Sequence, residues 1–199
     1  VYKLIKPEDI DAIKKGNDNL AAEFGVLLDI IIAAVGECFA KYCGRPDFDK
    51  AARTEYLNPL RNAHFAFIAS PPISSSPVVD LWQSTDLPRV YGNDQKLVNG
   101  TDYFVHEAEG MLEHVSGFAG GSKSLKVTYT GGYLTADATG CPDALKLAAM
   151  IQTEIIFERR AEFGLTGTSL EGSSMSLLSP LTLPKSVTML LGSYILMKV

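Results

Sequence analysis

Two stretches with the 3.6-residue periodicity of amphipathic helices enclose one long stretch that lacks it, and this order limits the folds open to the chain. Over residues 18–42, Leu20, Phe24, Leu27, Leu28, Ile31, Val35, Phe39 and Tyr42 fall on one stripe at about 100° per residue. Asp18 stands where an N-cap belongs, and Gly44 before Arg45-Pro46 is the exit. Pro142 opens a second helix running to Phe163 and closed by Gly164, with Ala144, Leu145, Leu147, Ala148, Ile151, Ile155 and Ile156 as its apolar arc. Shorter helices are predicted over 7–15, with acidic residues near the positive end of the dipole, and from Pro184 to Leu191. Between them, short runs at 54–57, 65–69, 78–83, 103–106, 111–115 and 125–130 are broken by Pro, Gly, Asn and Asp, and read as strands. Asn99-Gly100 carries the pair favoured by tight turns, which also accounts for the glycosylation-like Asn99-Gly100-Thr101. The expected fold is α+β and forms one domain over 1–199. A helical bundle (18–44 and 142–192) carries an inserted antiparallel β-meander (54–133), and an apolar tail follows at 193–199.

Composition removes several function classes. With 199 residues, 46% of them hydrophobic, the chain can bury a core of ordinary size. Eighteen basic against 23 acidic residues leave a formal charge of −5, and no stretch of sequence concentrates the basic ones, so tight DNA binding by charge is not expected. Cys38, Cys43 and Cys141 form no C-x-x-C pair and only three histidines accompany them, so neither a disulfide framework nor a structural zinc is expected and they read as small buried side chains. No signal-peptide pattern opens the chain, and the most apolar stretch, 26–35, is half the length of a membrane span. The expectation is a soluble protein, not exported, with no membrane partner.

Some apolar surface has no evident cover. Val26, Ile30 and Ala33 lie among the charged residues on the back of the first long helix, so either a neighbouring subunit or another helix of the same chain must pack there. Met150 and Phe157 project from the arc of the second helix as a smaller patch, and Arg159 close to that arc is a candidate for a buried or interfacial salt bridge. Residues 165–180, rich in Gly, Ser and Thr, suit a mobile loop that orders against a partner, and the apolar end from Leu190 to Val199 requires something to cover it.

The chemical constellations are weak. Gly117 to Ser124 resembles a phosphate-binding loop at its first glycine and closing Lys-Ser, but Ser122 stands where the second glycine belongs and a strand follows instead of a helix. His106 and His114 lie near Glu107, Glu109 and Glu113, and His64 precedes a strand; alternation makes such residues the solvent face of a sheet, and no nucleophile elbow is near. No catalytic, cofactor-binding or metal residue is therefore expected. A small hydrolase or nucleotide-binding enzyme using the 117–124 loop is the alternative of a different class.

Taken in order, the phrases of the chain resemble the head-to-tail connector, or adaptor, proteins of tailed bacteriophages. Gly44-Arg45-Pro46 ends the long helix; Pro71-Pro72-Ile73 leads through Val78-Val79 to the Tyr103-Phe104-Val105 strand; and Val127-Thr128-Tyr129-Thr130-Gly131-Gly132-Tyr133 closes the insert. Pro142-Asp143-Ala144-Leu145-Lys146 opens the next helix, Phe157-Glu158-Arg159-Arg160 ends it, and Leu183-Pro184-Lys185-Ser186-Val187 starts the last. The resemblance spans residues 18–194 and departs at Tyr194-Ile195, where the family often has Tyr-Arg. It implies a non-enzymatic virion protein at the head–tail interface, assembled in the bacterial cytoplasm as a dodecameric ring beneath the portal protein. A tail-completion or stopper protein would lie below, and DNA would pass through the channel without specific binding. The resemblance implies that neighbouring protomers cover Val26, Ile30, Ala33, Met150 and Phe157, with Arg159 at the same interface. It also implies that Leu190, Leu191, Tyr194, Ile195, Leu196, Met197 and Val199 bind the portal. A stopper protein one layer further down is the alternative within the same class.

Overall fold

The structure, a computed structural model, describes residues 3–11, 20–74, 79–134, 140–159, 168–170, 173–175 and 182–196. The chain divides into two compact units: Val1–Arg45 with Leu134–Val199, and Pro46–Tyr133. The class is α+β, helices in the first and antiparallel sheets in the second.

In the first unit, α1 (Pro7–Asp11) and α3 (Asp143–Glu158) pack on α2 (Leu20–Cys43), and α4 (Lys185–Leu191) packs on α3. Asp11 Oδ1 accepts the backbone N–H of Ala21 at 3.3 Å, satisfying a donor that the first turn of α2 leaves free. The expected cap Asp18, the end of the first helix at 12–15 and the last turn at 160–163 lie outside the described residues. Lys146 Nζ meets Asp9 Oδ1 at 2.7 Å and ties α3 to α1. Burial pushes the Asp9 carboxyl up, but Lys146 and Lys6 outweigh it and hold it below the usual range.

The stripe on α2 holds in its centre: Leu20, Leu28, Ile31, Val35 and Phe39 are buried, while Leu27 and Tyr42 remain exposed. On α3 the buried arc is rotated from the expected one. Leu145, Ala148, Ala149, Gln152, Thr153, Ile156 and Phe157 face inward, and Leu147 is exposed. The arc is set by where α2 and α4 lie and not by side-chain apolarity alone, so two polar residues are taken in and a leucine is left out. Part of the 165–180 segment forms a hairpin, β8 (Thr168–Leu170) antiparallel to β9 (Ser173–Met175), where a loop was expected.

In the second unit, β1 (Ala51–Leu57), β3 (Asp80–Gln83), β4 (Lys96–Leu97) and β7 (Leu125–Gly131) form a sheet in the order β1-β7-β3-β4. β2 (Ala63–Phe67), β5 (Tyr103–His106) and β6 (Met111–Phe118) form a second, in the order β2-β6-β5. This differs from a meander: β1 and β2 belong to different sheets, and β7 returns to pair with β1 from Ala51↔Gly131 to Leu57↔Leu125. The two sheets enclose one core, in which Ala66, Ile68 and Leu112 meet Leu81, Val127 and Tyr129. Tyr103 donates its hydroxyl to Val79 O at 2.7 Å, and burial pushes that phenol up to about 12. Glu55 on β1 accepts the hydroxyl of Tyr129 on β7 and the N–H of Ala69, so one carboxylate ties β1 to β7 and to the segment that follows β2.

Candidate functional site

The loop at 117–124 crosses from β6 in one sheet to β7 in the other, and four of its amide donors are already engaged. The N–H of Ala119 goes to Gln83 Oε1 at 2.9 Å, that of Gly121 to Pro59 O at 3.3 Å, that of Lys123 to Asn58 Oδ1 at 2.6 Å and that of Ser124 to Gly121 O at 3.3 Å. A phosphate loop needs those donors free and converging on the ligand. A Cβ on Gly120 would lie 2.5 Å from Arg61 N, so this glycine serves a close backbone approach. The loop is a packed corner.

The histidines do not assemble a site. His106 Nε2 meets Glu113 Oε2 at 2.9 Å as a diagonal cross-strand pair, both about 40% exposed. His114 is buried against Phe118, with ring centroids 4.9 Å apart, and its Nδ1 accepts the Ser116 N–H at 3.2 Å. Desolvation, aided by His64, holds the His114 imidazole below the usual value, as its acceptor role requires. His64 Nδ1 donates to the carbonyl oxygen of His114 at 3.0 Å. Burial pushes the thiols of Cys43 and Cys141 up to about 11, and that of Cys38 upward, so all three stay protonated at neutral pH. Among the described residues no group of three or more His, Cys, Asp and Glu could hold a metal ion, and no helix is long and apolar enough to cross a membrane.

What the structure offers is surface for other molecules. α2 departs from helical geometry at Phe24 (φ −121°, ψ 19°), beside Gly25, and beyond this point Val26 and Ile30 stand 79% and 62% exposed. Four residues apart, they share one face, which Ala34 continues as an exposed position while Ala33 is half-buried. Phe157 does not join them. It is 2% exposed, and Phe24 covers it edge-on with centroids 5.4 Å apart, because the break in α2 turns Phe24 onto α3. Met150 is half-buried, as is Arg159, which caps α3 by donating its N–H to Ile155 O.

The C-terminal segment is likewise partly claimed by its own unit. Leu191 is fully buried one turn after Val187, so it belongs to the core. Tyr194 O accepts from Arg45 Nε at 2.7 Å and Leu196 N–H donates to Cys43 O at 2.9 Å, which fasten this stretch to the end of α2. Tyr194, Leu190 and Leu196 are half-buried, Ile195 is 46% exposed, and Met189 is the most open apolar residue of α4. Met197 and Val199 lie outside the described residues.

A further apolar surface was missed from the sequence. Phe65, Glu113 and Phe104 lie side by side on the outer face of the three-stranded sheet, with Phe67 and Val115 exposed on the same face. The signal was present: Phe65-Ala66-Phe67-Ile68 is apolar at both parities, which marks a strand covered on both faces, and the chain's own core covers one.

The described residues thus form packed helices and a two-sheet insertion with exposed apolar faces, and no catalytic group is assembled among them. The fold is shared by a chain from the neck of an empty gene transfer agent particle with C6 symmetry, at a TM-score of 0.59 and 13% identity over 98% of this chain and 91% of that one. It is shared too by a chain from the neck of the native particle with C12 symmetry (TM-score 0.52, 14% identity, 90% of each chain) and by one from the native gene transfer agent virion (TM-score 0.53, 15% identity, 96% and 88%). No family model and no curated protein sequence matches the chain.

Proposed function

We propose that the chain is a head-to-tail connector of a virion. Twelve copies form a ring beneath the portal, join the DNA-filled head to the tail and leave a channel for DNA. The observation that carries this reading is a fold shared along nearly the whole chain with neck components of cyclic symmetry. Closed rings use a heterologous interface, so each copy must present apolar surface that its own fold leaves open. Val26 and Ile30 are such surface, and the Phe65–Phe104 face is a second. Ile195, with Tyr194, Leu196, Met197 and Val199, is assigned to the portal. Each tail binds modestly, and a ring of tails binds by avidity. The role is structural, without catalysis.

Electron microscopy of the protein alone and mixed with a portal tests this reading. Twelve-fold rings docked on the portal are expected. A protein that stays monomeric at high concentration and does not bind the portal would refute it.

A further inference from the structure

The outer face of the four-stranded sheet gathers cations that the sequence scatters. Register places Tyr56 on β1, Lys126 on β7, Trp82 on β3 and Lys96 on β4 in one row. Lys126 Nζ lies 4.6 Å and Lys96 Nζ 5.5 Å from the centre of the Trp82 ring, and Lys123 Nζ 5.9 Å from that of Tyr56. Arg89 stands at the edge of the row, its Nη1 and Nε donating to Ser84 O and Ser122 O at 2.7 and 3.2 Å. Two carboxylates accompany them. Asp80 pairs with Lys96 at 2.8 Å, and Asp94, beside β4, accepts from Gln95 Nε2 at 2.6 Å. Among the described residues, Lys123 and Lys126 meet no carboxylate at ion-pair distance. Asp102, Glu107, Glu109 and Glu113 lie on the β5–β6 sheet and its turns, Asp86 precedes Arg89 in the chain, and Glu55 of β1 has the opposite parity to Tyr56, its carboxylate engaged by the Tyr129 hydroxyl and the Ala69 N–H.

We propose that this face binds the phosphate backbone of duplex DNA without reading sequence. Aromatic rings hold the ammonium groups in place, so fewer side-chain rotamers are lost on binding. Because two ammonium groups sit over the one indole, that ring is not open to stack a base, and recognition falls to the phosphates. About three unneutralised cations give a weak, salt-sensitive contact, since each phosphate neutralised contributes about −0.9 to the slope of log K against log salt. A duplex held in this way can slide. DNA as the natural source of the phosphates rests on the neck reading above; the binding itself does not.

The test is fluorescence anisotropy of a labelled 20-base-pair duplex of arbitrary sequence, titrated with the intact protein from 25 to 200 mM salt. The expected slope is about −3, and Lys123→Gln and Lys126→Gln should each reduce it by about 1. Lys50→Gln, just before the far end of β1, should leave it unchanged. Circular dichroism checks that each variant is folded. Absent binding at 25 mM, slopes indifferent to Lys123 and Lys126, or poly-glutamate competing as well as DNA of equal charge would overturn the proposal, the last by pointing to an acidic protein surface. Mass photometry on the same samples separates the two readings. Rings without DNA binding sink this inference alone, and DNA binding by a protein that neither forms rings at high concentration nor binds the portal supports it while sinking the connector.

Discussion

Replacing Ile30 by Asp should abolish assembly and leave the protomer intact. Val26 and Ile30 are 79% and 62% exposed, and full burial of such a side chain contributes about 1.5–3 kcal/mol, so covering what remains open supplies about 2–4 kcal/mol per contact between neighbours. At 1.4 kcal/mol per tenfold, losing the pair weakens each contact by about 30- to 1000-fold. Ile30→Asp forfeits its share of this and adds the cost of placing a carboxylate in an apolar seam, about 1–3 kcal/mol even after it takes up a proton. In the isolated protomer most of the side chain faces water, so protomer stability should fall by no more than about 1 kcal/mol. Sedimentation velocity across a concentration series reads the first effect and urea unfolding the second. A variant that assembles at the same concentration as the parent would refute the assignment of this face, and a protomer destabilised by several kcal/mol would show that Ile30 is needed for folding.

Phe157→Ala should act in the opposite sense, costing about 3–5 kcal/mol of protomer stability in urea unfolding because it empties the site beneath Phe24. Ile195→Asp should reduce portal attachment in a pull-down while leaving the melting temperature unchanged, whereas Leu191→Ala should lower that temperature, because Leu191 is fully buried. The folded imidazole of His114 is held below its unfolded value of about 6.5, so its stability contribution is fully present above that pH. It is lost as pH falls from there through the folded value, and His114→Gln should flatten urea-unfolding stability between pH 7 and 5.

Where local rules govern, the sequence was legible. The centres of α2 and α3, the strand Tyr103–His106 and the turn at Gly100 (φ 82°) follow from periodicity and turn chemistry within a few residues. Strand order was not legible, because β7 pairs with β1 across some 70 residues and nothing in either strand names its partner. β4, two residues long, is too short to show a period. Phe157 was assigned outward because a helical wheel takes the partner as straight, whereas the break at Phe24 redirects a ring onto it. The lysine–aromatic row escaped notice for the same reason as the strand order. Its members are separated in the chain by up to 70 residues, and only the register joins them.

The second unit leaves the chain where it enters it. Tyr133 N–H donates to Phe48 O at 2.9 Å, and a Cβ on Gly132 (φ 109°) would stand 2.1 Å from Asp49 O, so the incoming and outgoing segments run in direct contact. Two ends this near to one another make the 46–133 stretch a cassette. A few-residue bridge in its place would span about the distance between adjacent strands, and an insertion of another size could be exchanged there without pulling Arg45 and Leu134 apart.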